Sequence, residues 1–344
     1  MKNTDNEIFN SLKALFTGKR VKIVIISHEN PDGDAVGSSL GLAEVLGNFG
    51  HEVNVIVPNV YPEFLKWFSS ELKVWIYDID KKEAKNIISC AEVLICLDFN
   101  NPERAAKMSK QIIQFQGTKV MIDHHPYPVQ FCDYMISETE YSSTAELVFR
   151  LVTETGLKDF INYASAEALY TGIMTDTGSF SHNISRPGPF LAAAELMKWG
   201  IDTEKIQSNV YHNFSADRMK LLGYCLNKKM EVFPEYRTAV IHISRDELLE
   251  YNFQPGDPEG FVNYPLSINN IIFSALFIEK KDVVKASFRS KGNFPVNNFS
   301  QRYFGGGGHL NAAGGESKLT LTETVERFKQ LLIEFKHQLL GITE

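Results

Sequence analysis

In the stretch SHENPDGDAVGSSLGL, residues 27–42, His28, Asp32 and Asp34 crowd onto one turn directly after the oily run VKIVII. Two carboxylates one residue apart repel, and burying them unpaired is costly, so a positive group must stand between them. Three further segments carry the same chemistry, each where an element ends. Asp98 closes AEVLICLD, Asp123, His124 and His125 close TKVMIDHH, and Asp176 lies in MTDTGSF behind the helix-like ASAEALYTGI. A lone Asp at a strand end is most often a helix cap or turn residue, DxD is common, and His-His is usually incidental. Caps do not require two histidines and four aspartates converging on one edge. The set is suited to a pair of divalent ions. Two such ions, held about 3.5–4 Å apart by a bridging carboxylate, clamp the attacking and leaving oxygens of an in-line displacement. Mixed imidazole and carboxylate ligands suit Mn2+ or a similar first-row ion better than Mg2+. Asp32 and Asp34 are then adjacent because each faces a different ion.

The elements that must position these residues alternate along the first half. VKIVIIS (21–27), HEVNVIVP (51–58), AEVLICLD (91–98) and TKVMID (118–123) read as strands, with a helix running to about Gly47 after the first. Continuous Val/Ile/Leu runs imply strands covered on both faces, and strands alternating with helices imply a doubly wound, mostly parallel sheet. In such a sheet ligands bind outside the carboxyl ends of the strands, which is where all four acidic segments fall. The pattern changes at SRPGP (185–189). Residues 189–229 read as a helical linker, and from Met230 a smaller C-terminal α/β domain begins. There INNIIFSALFIEK and DVVKASFRS form an antiparallel hairpin, and TETVERFKQLLIEFKHQLL is an amphipathic helix starting at a Thr cap. The expected domains are 1–188, the linker 189–229, and 230–344. A length of 344 residues is itself in the range where chains divide into domains.

HENPDGDAVGS, the strand-ending Asp98, DHH at 123–125 and TDTGSF resemble the motifs of the DHH phosphoesterase superfamily. GGGGHLNAAGG (305–315) resembles the glycine-rich signature of its DHH-associated C-terminal domain. The likeness covers nearly the whole chain and is greatest to the bacterial nano-RNase and pAp phosphatase group. It implies one metal on His28, Asp32 and Asp98, a second on Asp34, Asp98, His124 and Asp176, and Asp98 bridging. His125 would stand beside the phosphate and donate a hydrogen bond to it or to the leaving group, with Asp123 orienting an imidazole. Arg289, late in a strand, would clamp a substrate phosphate. Gly305, Gly306, Gly307 and Gly308 with His309 would bring backbone N–H groups to a ligand, the alternative being a tight turn. Tyr303 and Phe304 offer rings for base stacking, although core packing is their commoner use.

The implied activity is Mn2+-dependent hydrolysis of short oligoribonucleotides, with 3′-phosphoadenosine 5′-phosphate (pAp) as a second substrate. A cyclic or linear dinucleotide phosphodiesterase would use the same site. A pyro- or polyphosphatase shares the metal motifs but lacks a GGGGH element. A non-catalytic nucleotide sensor would not need the full ligand set. Family habit implies a homodimer. A net charge of −7 and a pI near 5.8 argue against binding long duplex nucleic acid. Cys90, Cys96, Cys132 and Cys225 form no CxxC pair, so a cysteine zinc site is not expected, and the four read as buried free thiols. MKNTDNEIFNSLKALF has no signal-peptide pattern, and no run of about 18 apolar residues spans a membrane, so the expected location is cytoplasmic.

Overall fold

The computed structural model describes residues 2–254 and 256–342. The chain divides into two compact units between Asn213 and Phe214.

The first unit runs α1 (Lys2–Thr17), β1 (Lys22–Ile26), α2 (Gly33–Phe49), β2 (Glu52–Val57), β3 (Val74–Ile76), α3 (Lys81–Cys90), β4 (Val93–Leu97), α4 (Ser109–Gln114), β5 (Thr118–Asp123), β6 (Tyr134–Ser137), α5 (Thr144–Glu154), α6 (Tyr163–Asp176), α7 (Gly188–Leu196) and α8 (Thr203–Tyr211). Its sheet has the order β3-β2-β1-β4-β5-β6, and every neighbouring pair is parallel. The chain winds outward from β1 in one direction, then resumes at β4 on the other side. The carboxyl ends of β1 and β4 therefore flank the crevice where the winding reverses, the usual ligand position in such sheets. Val24, Ile25 and Ile26 of β1 and all five residues of β4 are buried, because helices cover both faces. Each buried aliphatic side chain of this kind contributes roughly 1.5–3 kcal/mol relative to exposure. The short strands β3 and β6 escape sequence reading, since VWI and YMIS are half-buried edge pieces without an apolar run.

Two glycines set the spacing on one side of the sheet. A side chain on Gly37 of α2 would stand 2.5 Å from the Ala168 carbonyl oxygen of α6. One on Gly172 of α6 would stand 2.6 Å from Ala145 Cβ and 3.0 Å from Asp34 Oδ1. The bare backbones let α2 and α6 approach closely enough to bring the starts of α2 and α5 and the end of α6 together.

The second unit runs α9 (Ala216–Tyr224), β7 (Met230–Phe233), β8 (Thr238–Ile243), α10 (Arg245–Glu250), β9 (Phe273–Glu279), β10 (Val284–Ser290), α11 (Val296–Phe304), β11 (Gly307–His309), β12 (Ala312–Ser317) and α12 (Leu321–Leu340). Its sheet order is β11-β12-β10-β9-β8-β7, and β9 and β10 form the expected antiparallel hairpin. The helical stretch 189–229 does not stand apart. It is shared out, with α7 and α8 in the first unit and α9 in the second. The last helix is capped by Thr320, two residues before the stretch TETVERFKQLLIEFKHQLL, because the Glu323 carboxylate reaches back to the Thr320 N–H in a capping box. Phe304 is buried in the phenylalanine-rich core of this unit, and Tyr303 packs edge-on against Phe335.

Of the four thiols, Cys96, Cys132 and Cys225 are buried, whereas Cys90 lies exposed in the last turn of α3. Among the described residues, no helix is long and apolar enough to cross a membrane.

Candidate active site

The turn after β1 places the first two acids differently. Asp32 caps α2, its Oδ1 accepting the Asp34 and Ala35 N–H groups at 3.1 and 3.0 Å. Its other oxygen lies 3.9 Å from His28 Nε2. Asp32 is thus both the helix cap that an Asp at a strand end usually is and a member of the cluster. Asp34, buried in the first turn of α2, points at the start of α5. Its Oδ2 accepts the Thr144 N–H at 2.6 Å and its Oδ1 the Ala145 N–H at 2.8 Å. A helix N-terminus offers unused N–H groups and a partial positive charge, which suits a carboxylate.

Asp98 follows β4 with φ +66°, a left-handed conformation that residues with side chains seldom adopt. Strain of this kind persists where surrounding structure enforces it, commonly at functional sites. The Asp98 N–H donates to the Ile122 carbonyl, tying the end of β4 to β5. Its carboxylate receives the Thr144 hydroxyl at 2.9 Å and lies 3.3 Å from His28 Nε2 and 3.6 Å from His124 Nε2.

Both histidines are oriented through their second nitrogen. His28 Nδ1 bonds the Glu29 carbonyl at 2.8 Å and His124 Nδ1 the Tyr141 carbonyl at 3.1 Å. A carbonyl only accepts, so each Nδ1 carries a proton and each Nε2 is turned to the acids, able to hold a proton against them or, without it, to offer a lone pair to a cation among them. The Tyr141 segment is itself anchored. Arg186 Nε donates to the Glu140 carbonyl, and Glu146 accepts from the Ser142 N–H and hydroxyl. His124 Nε2 lies 3.4 Å from Asp176 Oδ2, at the end of α6, and 3.9 Å from Asp34 Oδ2. His125 differs, because its N–H and its Nδ1 both bond the Asp123 carboxylate, at 2.8 and 2.7 Å.

The result is two groups of donor atoms, His28, Asp32 and Asp98, and Asp34, His124 and Asp176, each within 4.8 Å of one another. Asp98 stands between them, and Asp123 and His125 form a third group with it. Among the residues expected in the first unit, all eight are thus brought together. Sequence reading missed Ser143, Thr144 and Ala145. The signal was present in YSSTAEL, where Ser143 caps α5 through the Glu146 N–H.

Electrostatics follows from the crowding. Burial, together with the charges of Asp98, Asp176 and Asp32, pushes the Asp34 carboxyl well above its ordinary range. Burial and the Asp98 charge push Asp123 up to about 6. Burial opposes ionisation of Asp98 too, but the hydrogen bond from His28 and the neighbouring imidazoles outweigh it and hold Asp98 below the usual carboxylate range. Burial lowers His28 and His124, yet the surrounding aspartates carry both above the ordinary histidine value. His125 is held well below it, by burial and then by the Arg104 guanidinium.

The glycine-rich segment of the second unit has its own logic. Gly305 ends α11 at φ +60°, a left-handed cap. A side chain on Gly306 would overlap the Gly314 carbonyl oxygen, and one on Gly308, at φ +142°, the Ala312 carbonyl oxygen. The pairing of β11 with β12 therefore requires glycine at 306 and 308, and the left-handed cap of α11 favours it at 305. Gly305 and Gly307 have open space around them. His309 and Arg289 are half-buried on β11 and β10, and the Arg289 guanidinium donates to the Phe288 carbonyl at 3.0 Å.

An acid and imidazole cluster at the reversal point of a parallel sheet, followed by a second α/β unit with a glycine-rich strand, defines a phosphoesterase class, and the chain belongs to the DHH family. The DHH family N-terminal domain matches residues 22–173 and the DHHA1 domain residues 238–338. The chain is similar, at 43% identity and a TM-score of 0.93, to the crystal structure of an exopolyphosphatase-related protein from Bacteroides fragilis, covering 97% of this chain and 98% of that one. It is 28% identical over 296 residues to the bifunctional oligoribonuclease and PAP phosphatase NrnA of Bacillus subtilis, covering 85% of this chain and 88% of that protein. It is also 28% identical over 341 residues to the cyclic-di-AMP phosphodiesterase GdpP of Bacillus subtilis, covering 95% of this chain and 50% of that protein.

Proposed function

We propose that this DHH phosphoesterase hydrolyses short oligoribonucleotides and pAp to mononucleotides with two divalent ions. The observation that carries the reading is the pair of donor groups meeting at Asp98, each with an imidazole whose Nε2 faces carboxylates. The likeness, over most of the chain, to an oligoribonuclease and PAP phosphatase supports the substrate class.

The residues fit the ions. Donor atoms 3.3–3.9 Å apart are too distant for strong charged hydrogen bonds. They have the spacing of ligands around a common cation, since N and O ligands about 2.0–2.2 Å from one ion stand roughly 3–4 Å from each other. Buried carboxylates at this density also need positive charge. His28, Asp32 and Asp98 would hold one ion, and Asp34, His124, Asp176 and Asp98 the other. The nitrogen and oxygen donor set favours Mn2+. When bound, the ions supply Lewis acidity at the attacking water and at the phosphoryl group.

The protein's own groups do the rest. The first turn of α5 fixes Asp34 through two backbone N–H groups, and Thr144 fixes Asp98. Asp123 holds the proton of neutral His125 on Nδ1, so Nε2 faces the substrate as an acceptor. An arriving phosphate raises the proton affinity of that imidazole; His125 takes a proton at Nε2 from solvent as the substrate binds and gives it to the leaving oxygen as the P–O bond breaks, returning to the neutral form. In the second unit Arg289, His309 and the N–H groups of Gly307 and Gly308 hold the remaining phosphate or base, so activity falls with RNA length; the Gly306 N–H, expected to join them, is instead given to the Ser300 carbonyl.

The likeness to a cyclic-di-AMP phosphodiesterase over almost the whole chain favours dinucleotide phosphodiesterase activity as a second reading. Side-by-side turnover of a 5′-labelled RNA dinucleotide, pAp, a cyclic dinucleotide and pyrophosphate with Mn2+ decides between them. Release of mononucleotide from the first two, with slower release from RNA 24-mers, is expected. Binding of all four without release would make the protein a nucleotide sensor and end the enzyme reading.

A further inference from the structure

One cation beside the cluster has no role in what has been described. Arg104 lies six residues beyond Asp98, in the short helical segment Pro102–Met108, which kinks at Ala106. Its backbone is fixed twice. Its N–H donates to the Asn101 carbonyl at 3.0 Å, and its own carbonyl accepts the Glu29 N–H at 2.8 Å, the residue next to His28. The side chain is half-buried. Its positive charge acts on His28, His125 and Asp123 in the sense expected of a cation on their side of the cluster.

Its pairing is unusual for an arginine in such company. Five aspartates gather in this cluster and Glu29 and Glu103 lie nearby on the surface, yet the Arg104 guanidinium forms no ion pair, hydrogen bond or ring contact with any described residue. Were its purpose to neutralise the acids, it would stand within ion-pair distance of one of them. The oxygens of Asp98 and Asp123 are instead taken up by Thr144, His28 and His125. A half-buried arginine whose backbone is tied to the residue next to His28, with its donors unspent among the described residues, is poised for an anion that arrives from solution. Its planar fork matches two oxygens of a phosphoryl group.

We propose that Arg104 is a catalytic residue that binds the non-bridging oxygens of the substrate's reacting phosphoryl group, on the side of His28 and His125. The assignment rests on the phosphoesterase reading for its substrate, but not for its ligand, which is a phosphate in either case. Charge grows on those oxygens as the P–O bond breaks, so the contact is stronger in the transition state than in the ground state. Arg104 therefore differs from Arg289, whose effect falls on substrate binding.

The test compares the wild type with Arg104→Gln and Arg104→Lys, each loaded with Mn2+. Calorimetry measures inorganic phosphate binding and Mn2+ binding, and kinetics on an RNA dinucleotide separates kcat from KM. Arg104→Gln is expected to weaken phosphate binding at least about tenfold and lower kcat by about 100-fold, with Mn2+ affinity within about twofold of wild type. Arg104→Lys restores part of both losses. Unchanged phosphate binding and kcat in Arg104→Gln overturn the assignment. A parallel loss of Mn2+ affinity also overturns it, because the arginine would then act by shaping the His28 loop. Wild-type protein that binds no phosphate with Mn2+ present overturns it as well. If the wild type turns over no phosphoester but Arg104→Gln loses phosphate binding, the arginine assignment stands and the hydrolase reading falls.

Discussion

Asp123→Asn separates the cost of the site from its use. Asp123 is fully buried with its ionisation raised to about 6 against an ordinary 3.8. An acid whose folded value lies above its unfolded one is favoured by folding in its protonated form. Between about pH 4 and 6 the native state keeps a proton that the unfolded chain has released, so stability falls as pH rises through that window. A difference of 2.2 units, from 6 minus 3.8, corresponds to about 3 kcal/mol once the group is ionised in both states. At pH 4.5 only about 1 kcal/mol of this has been lost. Asparagine removes the titration but keeps one acceptor where the carboxylate serves two His125 donors, which costs about 1 kcal/mol. In metal-free protein the variant should therefore match wild type near pH 4.5 and exceed it by about 2 kcal/mol at pH 7.5, or roughly 4–8 °C in Tm. The three tryptophans, Trp67, Trp75 and Trp199, all lie in the first unit, so fluorescence melts in EDTA report on that unit alone. A variant-minus-wild-type difference that is the same at both pH values would refute the reasoning. Turnover with Mn2+ should fall at least about tenfold in the same variant, since His125 loses the carboxylate that sets its tautomer.

Three further outcomes are expected. Thr144→Val keeps the backbone donor to Asp34 but removes the hydroxyl on Asp98, and should weaken Mn2+ binding about tenfold by titration calorimetry with little change in melting. Gly306→Ala drives a methyl into the Gly314 carbonyl and should destabilise the second unit by about 1–3 kcal/mol or more, whereas Gly307→Ala meets nothing and should melt as wild type; urea titrations followed by circular dichroism distinguish them. Arg289→Ala should raise KM for an RNA dinucleotide at least about tenfold with a smaller effect on kcat, and a lost kcat at constant KM would contradict its assignment.

Much of the first unit was legible in the residues. Strands β1, β2, β4 and β5 announce themselves because a strand buried on both faces must be apolar throughout, and the acids at the ends of β1, β4 and β5 stand out as a set, because helix caps alone do not require so many acids and imidazoles together. The family motifs at 28–34, 123–125, 174–180 and 305–315 likewise need only be read. Other features were not written in any local stretch. The edge strands β3 and β6 take their identity from the neighbours they pair with. The helical stretch 189–229 reads as one connector, but packing divides it between two cores.

The site shows the same division. Composition and spacing determined that acids and imidazoles would meet, and which residue types would face an ion. Only the folded chain decided that α5 would supply Asp34 with its hydrogen bonds, that Asp98 would be forced into a left-handed turn, and that backbone carbonyls would choose the histidine tautomers. It also decided that Gly306 and Gly308 serve the packing of β11 on β12, and that the Arg104 carbonyl is tied to Glu29, the residue next to His28. A side chain's chemical type belongs to its own position in the sequence. Its ionisation, tautomer and strain belong to whatever the rest of the chain brings within a few ångströms, and those neighbours here lie as far apart in sequence as Asp34 and Asp176.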